Sequence, residues 1–494
     1  MGIINKAKLA SIMVLAIVSL QARSERTTST IYCPIEVSDK ESENEFYINK
    51  RKYLIVNNET IRDHKNLEKL KKNKIRFCTT NVTDMSELFY DSNFNGDISD
   101  WDVSHVTNMS FMFSDNKTFN QNINRWNVSY VKDMSFMFSG AKNFNQYIGD
   151  WDTYRLENTS FMFEEAENFN QYIGNWNTSN VTDMSFMFSN AKEFDQDLNS
   201  WDVSSVADMS FMFNNALKFN QPLNKWNTSS LIDMESMFTG TLAFNQNLNN
   251  WDVSQVENMR AMFAMSEFNG KINKWDVSNT TDMRNMFYSA EKFNQPINEW
   301  NTASLEEADW MFFRAISFNQ ELNNWNTSKV SSLKSMFAYS NFNKNINDWD
   351  VSNVIDMTMT FSGNKKYNQP LDNWDLSNTT STIAMFYGAS KFNQDISNWD
   401  VSKVTNMTGM LSMASAFNQP IGKWNISSVI YISHLLDGAV SFKQDINDWN
   451  VANIEKANHM LPKDFPCNLF SKLQENLLAN FNNVQIAKWQ NCVK

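Results

Sequence analysis

The sequence predicts an α/β repeat: one solenoid of about 15–16 coils, each a short strand plus a short helix, closed by a cap at either end. Three observations carry this reading. A Trp returns along most of the 494-residue chain, from Trp101 and Trp126 to Trp424 and Trp449, at intervals of 25 residues except two of 24. Other apolar positions keep step with it: Phe, or Tyr at Tyr367, stands seven residues before each Trp, and Ile or Leu three before it. Two different periodicities alternate inside the unit. A fixed period of this size marks stacked supersecondary units that share one continuous core.

Taken in chain order, the first element is an address. Lys6 and Lys8 precede an apolar run from Leu9 to Leu20, followed by the small residues Ala22 and Ser24. Residues 1–24 read as a secretory signal peptide, too short to span a membrane. A lipoprotein needs Cys at the cleavage point, and the first is Cys33; Lys6 stands where myristoylation prefers Ser or Thr. Residues 25–76 form an N-terminal cap, with a strand or hairpin around Tyr47, Tyr53, Ile55 and Val56 and a helix over 60–72.

The array runs over 77–461. Phe77 takes the Trp place in the first coil, with Val82, Met85, Leu88 and Phe89 in register. One copy reads WNVSYVKDMSFMFSGAKNFNQYIGD, residues 126–150. Trp126 and Val128, two apart, predict a short strand with one buried face. Met134, Met137 and Phe138, spaced by three and four, predict one or two helical turns. Asp133 suits the N-cap of that helix, and Gly140 its left-handed end. The two one-residue deletions fall between Phe263 and Phe268 and between Phe337 and Phe342, in the return loop. The Trp row belongs to the core, with the 28 Met filling gaps beside it. An exposed ladder for sugars is the alternative, but such a row would be a very large apolar patch.

Residues 462–494 form the C-terminal cap. Leu461, Pro462 and Pro466 break the pattern, and 468–490 reads as a helix with Phe470, Leu473, Leu477 and Phe481 on one face. No anchor tail is visible there. The four cysteines, Cys33, Cys78, Cys467 and Cys492, all lie in the flanks. Pairing Cys33 with Cys78 and Cys467 with Cys492 would hold each cap against fraying, and secretion permits it. The net charge of −12 argues against nucleic acid or an anionic membrane as partner.

The Ile-x-x-Trp-x-Val spacing has the form of LxxLxL. Together with the WDVSxVTxM, MF and FNQxI pieces, it resembles the BspA-like surface proteins with the 25-residue repeat first noted in mycoplasma lipoproteins. The resemblance covers 77 to about 461. It implies a leucine-rich-repeat-like solenoid on a secreted or surface-bound protein, associated with adhesion to host or matrix proteins. The chain departs from the family in lacking a lipoprotein cysteine.

On a strand the neighbours of a buried Trp point outward. The residue after each Trp is Asp or Asn, in strict alternation from Asp102 to Asp252, with Asp350, Asp375 and Asp400 consecutive later. Alternation relieves repulsion between like charges on neighbouring coils. The consecutive Asp350, Asp375 and Asp400 make the candidate binding strip for a basic partner. The Asn of the FNQ pieces forms a second row, read as a structural ladder. Sequons are numerous, among them Asn58, Asn81, Asn116, Asn127, Asn177, Asn227, Asn326 and Asn425, candidates for glycosylation that the repeat itself generates. The four His are scattered, with only His434 and His459 one coil apart, and no nucleophile elbow, P-loop or HExxH occurs. The reading assigns no catalytic residue, metal site or cofactor. It expects an extracellular protein or matrix partner. A coat or matrix protein without a single ligand is the second reading, and a carbohydrate-active β-solenoid enzyme the third.

Overall fold

The computed structural model describes residues 31–33 and 44–473. The expected signal peptide, and Leu477, Phe481 and Cys492 of the expected C-terminal cap, lie outside the described residues.

The chain enters the array through a small sheet. β1 (Glu45–Ile48) and β2 (Arg51–Asn57) form an antiparallel hairpin, and β2 pairs in parallel with β3 (Arg76–Asn81). Between β2 and β3 runs α1 (His64–Lys71), capped by Asp63, whose side chain accepts the Asn66 amide. Leu54, Val56, Ile61 and Leu70 join the same core as Phe77 and Trp101, so the sheet covers the apolar end of the stack. The buried Arg76 of β3 clamps the first coil. It donates to the carboxylates of Asp97 (2.7 Å) and Asp100 (3.3 Å), while the Tyr53 hydroxyl donates to Asp100 (2.9 Å). Cys33 and Cys78 form a disulfide that ties a residue 45 positions upstream to β3. Closing a loop of that size restricts the unfolded chain by about 4 kcal/mol. Cys467 is disulfide-bonded; its expected partner, Cys492, falls outside the described residues.

Beyond β3 the coil contains neither expected element. Among the described residues of the array after β3 there is no α-helix and no strand. Each coil instead carries one isolated parallel bridge, from Asp84 with Asn108 through to Tyr431 with Lys456.

The segment read as a helix is a ribbon of successive β-turns. Met112 N–H bonds to Met109 O, Ser114 to Phe111 O and Asn116 to Phe113 O, each a three-residue step. The intervening amides point along the stack: Met109 bonds to Asp133 O, Phe111 to Ser135 O and Phe113 to Met137 O, all at 2.9 Å. Phe111 and Asp115 take left-handed backbone, at φ 56° each, which alternates the amide directions. Turn and helix place residues three and four apart on one side, so the Met-Met-Phe spacing fits both. Asp133 accordingly caps a turn, accepting the Ser135 amide two residues on. Gly140 is left-handed, as expected, but inside the ribbon.

The segment read as a strand is also spent in turns. Trp126 N–H returns to Ile123 O and Val131 N–H to Val128 O, so neither joins a ladder. The neighbouring coil is reached by side chains. Where Thr replaces Val, its hydroxyl donates to the next coil, as Thr153 to Asn177 O (2.9 Å) and Thr178 to Asp202 O (2.8 Å).

The Trp row lies in the core, each ring at most 4% exposed. Rings stack on the next coil with centroids 6.0–6.5 Å apart, as for Trp226 on Trp251 and Trp126 on Trp151. Each indole N–H from Trp126 to Trp449 donates to the Ile or Leu carbonyl that precedes the previous Trp: Trp126 to Ile98 (3.2 Å), Trp226 to Leu198 (2.9 Å), Trp449 to Ile421 (3.1 Å). A Phe would remove one of that carbonyl's two bonds, the other coming from the amide of the previous Trp, as Trp201 N–H to Leu198 O (3.0 Å). Phe77, with no array coil before it, needs no such donor.

The short coils repair their lost residue with serine. The Ser266 hydroxyl donates to Phe263 O (2.7 Å) and the Ser340 hydroxyl to Phe337 O (2.8 Å), at the bend that an Ala amide closes elsewhere; the Ser340 amide bonds Phe337 O as well (3.3 Å). The buried Asn364 then bonds both Ser340 Oγ and Phe342 O.

Two outcomes follow. Trp226→Phe keeps an aromatic ring but removes the indole bond to Leu198 O, which still holds the Trp201 amide, and should lower unfolding stability by about 0.5–1.5 kcal/mol. Trp226→Ala should lower it by about 3–5 kcal/mol. Chemical denaturation checks both, and a Phe variant as stable as the parent would show that the indole bond is idle. The second concerns acid. Burial alone would raise the Asp97 carboxyl, but hydrogen bonds from Arg76 and Ser99 outweigh it and hold it down at about 2. A depressed carboxyl stabilises the fold above its unfolded value, near 4, and loses that stabilisation as pH falls towards 2. Melting followed from pH 5 to pH 2 should show this loss in the parent and a smaller one in Arg76→Gln.

Candidate functional site

The outward columns of the coil are set by local hydrogen bonding before any partner acts on them. The Asp or Asn after each Trp closes an Asx turn. Asp202 Oδ1 accepts the Ser204 amide (3.0 Å) and hydroxyl (2.6 Å), and Asn177 Oδ1 does the same with Ser179 (3.0 and 2.7 Å). One side-chain oxygen is all the turn requires, so Asp and Asn serve equally and nothing else is found there. The sequence reading missed this, although the Ser two residues on was the signal. Charge at the position is a separate variable: Asp102, the first of the row, is buried against expectation, while Asn127 to Asp252 are exposed as expected.

Asp350, Asp375 and Asp400 occupy this register in three consecutive coils and are exposed. Each gives one oxygen to its turn, to the amides of Ser352, Ser377 and Ser402 at 2.9–3.0 Å. The Ser352 hydroxyl and amide lower the Asp350 carboxyl, and those of Ser402 lower Asp400. The structure therefore brings the three predicted residues into one row.

The candidate glycosylation residues Asn127, Asn177, Asn227, Asn326 and Asn425 stand in the same column and are exposed. Their sequon Ser is the turn partner, as Ser328 is for Asn326 and Ser427 for Asn425. Asn81 is exposed at the end of β3, whereas Asn58 bonds Thr83 through both side-chain atoms. Asn116 is fully buried, bonded to Phe94 O, and closed to modification in the folded chain.

The FNQ asparagines form the expected ladder. Asn120 Oδ1 accepts the Asn145 amide (3.0 Å) and the Gln146 side chain (2.9 Å), and the pattern recurs up to Asn418 with Lys443 and Gln444. At the N-terminal end the row borders a shallow polar groove lined by Asn120, Asn143, Asn145, Asn168, Asn170 and Glu193, among others. His434 and His459 stack at 5.2 Å, and His434 Nδ1 lies 3.0 Å from Asp437. Among the described residues no group of three or more His, Cys, Asp or Glu is placed to hold a metal ion, and no helix is long and apolar enough to cross a membrane.

One column went unread in the sequence. Phe111, Phe136, Phe161, Phe186 and Phe211 also recur every 25 residues, then give way to Ser236. They sit on the turn ribbon, partly exposed, and stack face to face at 4.2–4.4 Å.

The Asx role is open to direct trial. Asp202→Asn should leave the melting temperature within about a degree, while Asp202→Ala should lower stability by about 0.5–1.5 kcal/mol. An Ala variant as stable as the Asn variant would show that the side-chain oxygen is dispensable.

Comparison with known proteins adds a family. The family model described as "Mycoplasma protein of unknown function, DUF285" matches in six overlapping stretches, residues 59–173, 140–251, 233–340, 263–374, 325–400 and 361–475. No curated protein matches the chain. Among solved structures, the chain is similar at 10% identity to one in the structure of the Toll–Spatzle complex, a molecular hub in Drosophila development and innate immunity. That match covers 72% of this chain and 51% of the other, with a TM-score of 0.17, so this chain spans about half the length of that one.

Proposed function

This chain belongs to the DUF285 family, and on that premise we propose that it is a secreted or surface-associated binding protein. Its solenoid presents a repeated face to an extracellular protein or matrix partner of basic character. The observation that carries the proposal is the row of Asp350, Asp375 and Asp400. Their position needs only a turn oxygen, which Asn326 and Asn425 in the flanking coils supply without charge. Three carboxylates in consecutive coils repel one another and add nothing to the turn. They concentrate negative potential, which speeds the encounter with a cationic surface. The resemblance of the repeat to BspA-like surface proteins supports adhesion as the setting, and the leader-like residues 1–24 support secretion. The reading assigns no catalysis.

The triple change Asp350→Asn, Asp375→Asn and Asp400→Asn keeps every Asx turn and removes three charges. Folding should be unchanged. A partner recovered by pull-down should bind the triple variant more weakly, most at low salt, where charge attraction reaches furthest. Equal affinity at low salt would place the binding face elsewhere.

A further inference from the structure

The ribbon face of coils two to six carries more apolar surface than its fold needs. At the third ribbon position the backbone is left-handed, with φ of 55–57° from Phe111 to Phe211. Bulky side chains are disfavoured in that conformation. Elsewhere in the column the same backbone is filled by Ser236, Ala261, Asn285, Ser335, Ala384 and Gly409, and also by the larger Trp310, Met359, His434 and His459. Those coils keep the same inter-coil amide bonds, as Ser236 to Arg260 O (2.8 Å) and Ser335 to Thr358 O (2.9 Å). The rings add stacking to the coils that hold them, but the array stacks without them.

Stacking also decides what these rings offer. Their faces are covered by one another, so the ridge presents ring rims to solvent. A sugar, which packs on a ring face, finds none along the ridge. An apolar side chain packs against rims readily.

The charges beside the ridge narrow the partner further. Three residues before a rung stand Asp133, Asp183 and Asp208; three or four after stand Asp115, Glu164 and Glu165. No Lys or Arg occupies those positions in these five coils. Of the lysines nearby on the ribbon side, Lys132, Lys142 and Lys192 are paired with Glu157 and Glu167, while the exposed Lys117, in the register of Lys142, stands at the ridge's N-terminal end. An acid-rimmed apolar ridge repels a second copy of itself and suits a surface of opposite charge.

We propose that the Phe111–Phe211 ridge docks an amphipathic segment of a protein partner, apolar on one face and basic along its margins. The proposal rests on the reading of this chain as a binding protein and gives that reading a second contact, on coils other than those of the Asp350 row. Three inner rungs, Phe136, Phe161 and Phe186, are stacked on both sides, and the last two are taken as the anchors.

The test uses the full chain and a labelled probe: a designed amphipathic helix with leucines on one face and lysines at its margins. A counterpart carries glutamates in place of the lysines. The double variant F161S/F186S introduces the residue that the array itself carries at Ser236 and Ser335. A second variant, D183N/D208N, keeps the turn oxygens, as Asn108 and Asn158 do, and removes two charges. The parent should bind the lysine helix and reject the glutamate helix. F161S/F186S should weaken binding by about tenfold or more at any salt. D183N/D208N should weaken it several-fold, at low salt only. D350N/D375N/D400N should bind the probe like the parent. Unchanged affinity in a folded F161S/F186S overturns the proposal, as does equal binding of the glutamate helix, or a D183N/D208N variant that matches the parent at low salt. A natural partner that F161S/F186S still holds fully, but the Asp triple variant loses, removes the ridge and leaves the binding function standing. Failure of the parent to hold any partner removes the function on which the ridge rests.

Discussion

A coil of this array cannot satisfy its own polar groups. Half of the amides in the turn ribbon, and the indole N–H of each row Trp after the first, find acceptors only in an adjacent coil. Buried amides left without partners are costly, so a single coil has no stable existence. The stack follows from this. Trp226 reaches back to Leu198 O while its own coil amides reach forward, as Met234 does to Asn258 O. The two directions fix the register of coil on coil, and the stacked Phe and Trp rings fill the space between. The N-terminal end shows the same rule at its limit. Trp101, whose reach back of 28 residues runs past the start of the array, has an indole nitrogen without a partner, and the sheet with its Arg76 clamp and Cys33–Cys78 disulfide closes that end instead.

Much of this was legible in the sequence, and the remainder was hidden for physical reasons. The period, the buried Trp row, the Asn ladder and the Cys33–Cys78 pair could all be read, because each depends on residue type at a fixed spacing. The internal architecture of the coil could not. Met134, Met137 and Phe138 have helical spacing, yet a ribbon of turns with alternating φ gives the same spacing with half its amides turned along the stack to the next coil. The clue was Gly140, whose place is taken by Asp115, Glu165 and Asn190 in neighbouring coils, all with positive φ. Asp133 was assigned to a helix cap and caps a turn, since a carboxylate oxygen serves an orphan amide equally in either setting. The serines of the short coils were invisible because a hydroxyl joining or replacing a backbone amide leaves no periodic trace.

The same bookkeeping separates what the fold demands from what it leaves open. The residue after each Trp must supply an oxygen, but its charge is free, and Asp350, Asp375 and Asp400 use that freedom. The third ribbon position must tolerate left-handed backbone, but its bulk is free, and Phe111 to Phe211 use it. Sequons such as Asn177 and Asn326 fall on the other side of the line, because Asn and Ser there are already explained by the turn they close. Function in a repeat protein is best sought where a side chain exceeds what its position requires.

The most direct measurement is hydrogen exchange at the indole nitrogens, followed by NMR with 15N-labelled Trp. If the indole bonds hold the register, the row from Trp126 to Trp449 should exchange slowly, with the central members near the rate of global opening. The partly exposed Trp310, outside the row, should exchange orders of magnitude faster. Fast exchange along the row, comparable to that of Trp310, would contradict the account and show coils held by ring packing alone.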